Sequence, residues 1–305
     1  MNDDKLLEEF ESYLKALNRS PKTIRSYVCN SVRFITWLHA RDIESVLNVS
    51  WQDFQRYQRW LAKQNQYSPA SIDIYLRAVR ALFKYLENHN ILHGNPAEVL
   101  PLPKLPKVLP RNVLTEREVE DLLNAPDRQT DEGMLYKAIF ALAYNSGLRI
   151  SDVLNIKVND IDTAGGRLFI RQGKGSKDAV LPIGDNCKLW IRAYRDIVRP
   201  KLVAKSKKPS DRFFLGAMRG NPINEHVLQR KIKEYALKAG IKKPVRFHSL
   251  RHAFATHLLN NDADILHVKD MLRHERLETT QRYTHVTISD LKKEHRRYHP
   301  RERDE

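Results

Sequence analysis

The stretch RFHSLRHAFATHLL, Arg246–Leu259, holds three histidines and two arginines in fourteen residues. His248 and His252 stand four apart, as metal-binding histidines on a helix do. The breaker Pro244 lies just upstream, and the spacing predicts a helix that starts near His248. At 100° per residue, His248, Arg251, His252, Ala255 and Leu259 share one face, while Leu250, Phe254 and Leu258 lie toward the other. A helix that apolar beyond its first turns is expected to be buried. His248 and Arg251 then project together from a helix N-terminus, where the dipole and free N–H groups favour an anion. The planar guanidinium fork suits two oxygens of a phosphate. A metal would want a carboxylate beside the histidines, but no Asp or Glu occurs between Arg246 and Asn261, and Arg251 would repel a cation. The stretch reads as an anion site without a metal. His257, on the opposite face, reads as structural.

The rest of the chain agrees with an anionic partner. Its 305 residues are enough for two domains, each with its own core. Lys and Arg number 53 against 37 Asp and Glu, a formal charge of +16. Such an excess favours nucleic acid through counterion release, although a basic surface can serve solubility alone. The acidic start MNDDKLLEEFESYL lacks the pattern of a signal peptide, and no run approaches eighteen apolar residues. Neither end carries a basic amphipathic anchor. The expectation is a cytoplasmic, nucleoid-associated protein with no membrane partner. Cys29 and Cys187, far apart, read as buried thiols in a reducing compartment.

Prolines at 96, 101, 103, 106 and 110 mark an extended connector. Residues 1–100 are expected to form an N-terminal helical domain, 101–112 a Pro-rich linker and 113–305 a second domain. Before the linker the chain echoes itself: SPKTIRSYVCNSVRFITWL from Ser20 and SPASIDIYLRAVRALFKYL from Ser68. Each opens with Ser as N-cap and Pro at the first helical position. Apolar residues follow at helical period, at Ile24, Tyr27, Val28, Ile35 and Leu38, and at Ile72, Tyr75, Leu76, Val79, Phe83 and Leu86. With DDKLLEEFESYLKAL and WQDFQRYQRWLAKQ, they predict a four-helix bundle. Lys22, Arg25, Arg33, Arg77, Arg80 and Lys84 fall between the apolar stripes, facing either DNA or solvent.

After the linker, Thr115 and Glu118 form a capping box for a new helix. GMLYKAIFALAYNSGLRISDVLNI is helical with a break at Gly147, and DIDTAGGRLFIRQGKGSKDAVLPI suggests a small antiparallel sheet with a hairpin. The remainder, from about residue 186, is mostly helical again. The fold class is mainly α with a small antiparallel β-sheet. Arg149 follows the Gly147 turn, and Lys174 sits between two glycines at the hairpin tip, as a proton donor or an ordinary turn lysine. His274 and Tyr283 follow in MLRHERLETTQRYTH, Tyr283 as a core residue or a nucleophile.

Taken in order, SGLR at 146–149, GKG at 173–175, HSLRH at 248–252, LRH at 272–274 and RYTH at 282–285 closely resemble the tyrosine recombinase (phage integrase) family, above all its Xer-type members. The resemblance covers nearly the whole chain. It implies a SAM-like N-terminal DNA-binding domain and a mixed α/β catalytic domain. It also implies site-specific cleavage and rejoining of DNA through a 3′-phosphotyrosine and a Holliday junction. Tyr283 would be the nucleophile, Arg149 and Arg251 the phosphate clamp, and Lys174 the general acid. His248 would move a proton with Tyr283, and His274 would donate to the phosphate. His252 would support them, and Asp152 would orient Arg149. Expected DNA contacts are Lys22, Arg25, Arg77, Arg80, Lys84, Lys177 and Arg273.

The implied partners are double-stranded DNA with paired sites and a homo-tetramer, with or without a paralogous recombinase or accessory proteins. No cofactor is expected: GKGSK lacks P-loop spacing, and a phosphotyrosine conserves the energy of the phosphodiester. Dimer or cointegrate resolution and mobile-element integration or excision are equally open. A type IB topoisomerase, a non-catalytic DNA-binding factor and a metallo-nuclease are the competing readings.

Arg273 departs from the family, which usually has glycine before this histidine. A left-handed backbone would strain an arginine by ~1–2 kcal/mol. A helical position, with Arg273 reaching DNA, is therefore expected. In the tail, Ile288, Leu291, His295 and Tyr298 recur at helical spacing. The resemblance implies a terminal helix packed on a neighbouring subunit; a helix packed on its own domain is the other reading.

Overall fold

The computed structural model describes residues 2–64, 66–103, 113–171, 178–273 and 295–301. The chain divides into two compact units, residues 1–109 and 110–305.

The first unit is four helices: α1 (Asp3–Ala16), α2 (Pro21–His39), α3 (Trp51–Lys63) and α4 (Pro69–Asn88). The two echoed segments become α2 and α4, which pack along each other. The hydroxyl of Ser20 accepts from the Thr23 N–H at 3.1 Å, and that of Ser68 from the Ser71 N–H at 3.2 Å. In each helix the proline that follows sits in the first turn, where its missing N–H costs nothing. Phe34, Phe54, Tyr57 and Phe83 form the centre of the core, Phe34 and Tyr57 meeting edge to face at 4.8 Å. Aromatic rings so paired add to what their area burial contributes. Cys29, expected to be buried, is exposed on α2. Its neighbours in sequence, Val28 and Asn30, turn toward the core instead.

The second unit begins with α5 (Glu116–Asn124), capped by the reciprocal Thr115 and Glu118 bonds. The next helix, α6 (Asp131–Asn145), is apolar on every side, and every residue from Leu135 to Asn145 is buried. Such a helix must sit at the centre of its unit. Even Lys137 is inside, donating to Asn124 Oδ1 at 2.8 Å with its ammonium over the Trp190 ring. Burial, with the charge of Arg301 next in weight, brings that lysine down to about 7.

A short α7 (Ile150–Asn155) leads to the antiparallel sheet β1 (Ile161–Asp162), β2 (Arg167–Ile170) and β3 (Ala179–Pro182), in that spatial order. Leu168 pairs with Leu181, and both are buried, as are Ile170 and Ile183. The tip between β2 and β3 lies outside the described residues. Helices α8 (Asp185–Ala193) and α9 (Arg199–Lys205) are joined by a π turn and followed by α10 (Glu225–Lys238), α11 (Phe247–Asn260) and α12 (Ile265–Leu272). Among the described residues, no helix is long and apolar enough to cross a membrane.

The described part of the tail, 295–301, packs on its own unit. His295 and His299 are buried, with stacked rings 4.7 Å apart, against Phe254 and Tyr144. Nε2 of His295 donates to the Asn145 carbonyl, and Arg296 pairs with Asp185 at 2.9 Å. The apolar walls of α6 and α11 offer these rings a dry seat within their own fold. Ile288 and Leu291 lie outside the described residues.

Candidate functional site

Gly147 stands where α6 ends and α7 has not yet begun. Its φ is +57°, a left-handed value that glycine adopts without penalty. A side chain there would also collide, since a Cβ would lie 2.6 Å from Phe254 Cδ1 on α11. The backbone can therefore press against α11, and its carbonyl accepts from Arg251 Nη1 at 2.7 Å. The second terminal nitrogen of Arg251 donates to the carbonyl of Leu272, the last residue of α12.

Arg149 converges on the same helix end. It is the N-cap of α7, and its Nη2 donates to the carbonyl of Arg273 at 3.3 Å. Two guanidinium groups thus meet the last carbonyls of α12, where the helix dipole is negative and cations are favoured. The bonds hold each fork in place without using all its N–H groups. Nη1 of Arg149 is buried with no partner among the described residues.

Among the described residues, Asp152 is the one carboxylate bonded to this group. Its Oδ2 accepts from the Arg149 backbone N–H at 2.9 Å, so it fixes where Arg149 starts rather than its guanidinium. The same oxygen pairs with Arg273. Arg273 is therefore not as expected. It is not helical but caps α12 in a left-handed conformation, φ +54°, ψ +50°. Asp152 draws its guanidinium inward and leaves its side chain 12% exposed.

Burial, together with the charges of Arg149 and Arg273, brings Arg251 down to about 10 despite the opposing Asp152. Arg273 is also lowered, chiefly by burial. Crowded, desolvated cations of this kind stabilise negative charge far more effectively than exposed ones.

One turn before Arg251, His248 is exposed at the first turn of α11, its ring 4.5 Å from that of His252, nearly at right angles. His257 faces the other way. Its Nε2 must donate to the Leu114 carbonyl at 2.8 Å, so its Nδ1 accepts from the Tyr144 hydroxyl at 2.9 Å. Burial holds it below its ordinary value, as the neutral ring this network needs.

The structure thus brings together Arg149, Asp152, Arg251 and Arg273, with His248 and His252 on the first turns of α11. Lys174, Lys177, His274 and Tyr283 lie outside the described residues. Sequence reasoning missed the carbonyl scaffold of Gly147, Leu272 and Arg273 that holds the arginines. Only the glycine before Arg149 hinted at it.

In the first unit, Lys22 and Arg25 are exposed at the start of α2. Arg77 is exposed but pairs with Asp73 at 2.7 Å, and Lys84 with Glu87 at 2.8 Å. Arg80 donates to the carbonyls of Ala97 and Glu98. Arg33 lies over the Tyr75 ring at 4.3 Å.

Residues 112–289 match the phage integrase family, and residues 6–91 match the phage integrase N-terminal SAM-like domain. The tyrosine recombinase XerD of Vibrio cholerae is 36% identical over 301 residues, covering 98% of this chain and 97% of its own length. The tyrosine recombinase XerC 2 of Ralstonia nicotianae is 34% identical over 303 residues, covering 97% of this chain and 86% of its own. Among solved structures, a lambda integrase (75–356) dimer bound to a COC′ core site aligns with TM-score 0.68 at 16% identity, covering 93% of this chain and all of that one. The XerH recombinase bound to its difH substrate aligns with TM-score 0.68 at 19% identity, covering 88% of this chain and 79% of that one. At these identities the two structures speak for the fold.

Proposed function

The chain belongs to the phage integrase family, the tyrosine recombinases, and from this premise we propose that it cleaves and rejoins DNA at paired specific sites through a 3′-phosphotyrosine. The observation that carries the reading is the convergence of Arg149 and Arg251 on the carbonyl end of α12, one turn of α11 from His248.

In this reading the two guanidinium groups accept the non-bridging oxygens of the scissile phosphate as charge builds in the transition state. Tyr283 attacks phosphorus, the P–O5′ bond breaks, and Lys174 protonates the departing 5′-oxygen. His248 takes the proton from Tyr283, while His274 donates to the phosphate and His252 supports the helix start. A 5′-hydroxyl from a second strand then displaces tyrosine, so neither ATP nor a metal is required. Four protomers on two sites exchange strands in sequence, and the protein works in the cytoplasm on nucleoid DNA. Lys22, Arg25 and Lys177 supply phosphate contacts away from the reacting centre.

The experiment uses a nicked duplex carrying the site that the wild-type protein selects from random-sequence DNA, with EDTA present. A covalent protein–DNA adduct that vanishes in Tyr283→Phe is expected. Cleavage that requires a divalent metal and leaves no adduct would overturn the proposal.

A further inference from the structure

Arg273 combines two costly features. A non-glycine residue at φ +54° is disfavoured, and such conformations persist where surrounding structure enforces them, often at functional sites. Its guanidinium is also nearly buried, yet Asp152 satisfies only Nη2. Nε and Nη1 of Arg273 have no acceptor among the described residues, and neither has Nη1 of Arg149 beside it. If Arg273 merely neutralised Asp152, the one bond would suffice and the other donors would be stranded at a penalty.

The charges point the same way. Among the described residues, Arg149, Arg251 and Arg273 bring three positive charges to one carboxylate, leaving a net excess of positive charge. The carbonyls of Gly147, Leu272 and Arg273 are already engaged by Arg149 and Arg251. What the cluster lacks is an oxyanion able to accept several N–H bonds at once.

We propose that Arg273 is a third phosphate-binding arginine of this site, beside Arg149 and Arg251, and that Asp152 is the positioning residue that turns it inward. The left-handed cap serves this arrangement: at the end of α12 it directs the side chain back toward α7. The inference deepens the recombinase reading and rests on the cluster being its phosphate site.

Two measurements on the full-length protein separate the two claims. The first titrates inorganic phosphate at constant ionic strength and follows binding by calorimetry. Arg273→Gly, which suits the left-handed backbone, should weaken phosphate binding by about tenfold or more, with Arg273→Lys in between. Unchanged phosphate affinity in Arg273→Gly overturns the proposal. The second follows adduct formation on the selected nicked duplex at saturating protein. Arg273→Gly should be slower by about 10²-fold, and a methylphosphonate at the scissile position, with one charge fewer, should narrow that gap.

Equal adduct rates in wild type and Arg273→Gly overturn the role of Arg273 and leave the recombinase reading standing. If the wild type forms no adduct, the recombinase reading fails, and the phosphate titration still decides Arg273. Circular dichroism checks each fold; should Arg273→Gly be disordered, Arg273→Gln and Arg273→Lys carry the same comparisons.

Discussion

Arg251 Nη1 donates to the Gly147 carbonyl at 2.7 Å, tying the start of the chemistry-bearing helix to the turn that presents Arg149. The tie exists only because Gly147 has no side chain between it and Phe254. Gly147→Ala should destabilise the protein by roughly 2–5 kcal/mol, about 1–2 from the left-handed backbone and about 1–3 from forced packing. Urea unfolding measures this, and a loss below about 0.5 kcal/mol would contradict the close approach.

Arg251→Lys keeps the charge but loses the fork. A point charge cannot hold the Gly147 and Leu272 carbonyls and a phosphate at once. Cleavage should fall ~10²–10³-fold while DNA affinity changes only a few-fold. Gel shift and adduct kinetics on the same duplex test the separation, and parallel losses in both would argue against a clamp.

The cations of the first unit should divide into two groups. Lys22 and Arg25 are exposed, so Lys22→Ala and Arg25→Ala should weaken DNA binding across sequences and lower the salt slope by about 1 for each lost phosphate contact. Arg80 is committed to two backbone carbonyls, so Arg80→Ala should lower the melting temperature and leave the salt slope unchanged. A changed slope in Arg80→Ala would reverse this assignment.

Stability should depend on pH through the tail. Burial pushes His295 down to about 4, and His299, near His295 and Arg301, well below its ordinary value. Both rings bind protons more readily when unfolded. Their contribution is therefore intact above about pH 6.5, falls as pH drops below it, and for His295 is gone near 4. Calorimetry at pH 7, 6 and 5 should show a declining melting temperature. In His299→Phe, which keeps a ring in the seat but cannot protonate, the decline should be shallower; an identical decline would place the titration elsewhere.

The helices were legible wherever local chemistry decides them. Ser20–Pro21, Ser68–Pro69 and Thr115 with Glu118 mark helix starts by their side chains alone, and the structure begins helices there. Gly147 announced the break before Arg149 for the same reason. What escaped was non-local. The cost of a left-handed backbone at Arg273 argued for a helical position, and neither its left-handed cap nor the partner 121 residues away that turns it inward could be read locally. Arg80 shows the same blindness: its carbonyl partners lie beyond the end of its helix, 17 and 18 residues on. Cys29 failed differently, since a residue between two inward-turning neighbours gives little sign of its own direction.

The network around His257 has a mechanical consequence. Its ring is bonded to the carbonyl of Leu114, at the entry to the second unit, and it lies six residues, roughly 9 Å, along α11 from Arg251. Lys243 grips the adjoining Val113 carbonyl and Glu118, and Asn261 grips Glu116. His257 and Asn261 at the far end of α11, with Lys243 just before the helix, hold residues 113–118 in place. The helix that carries His248 and Arg251 is thus moored at its far end to the segment 114–116 that opens the first helix of the unit.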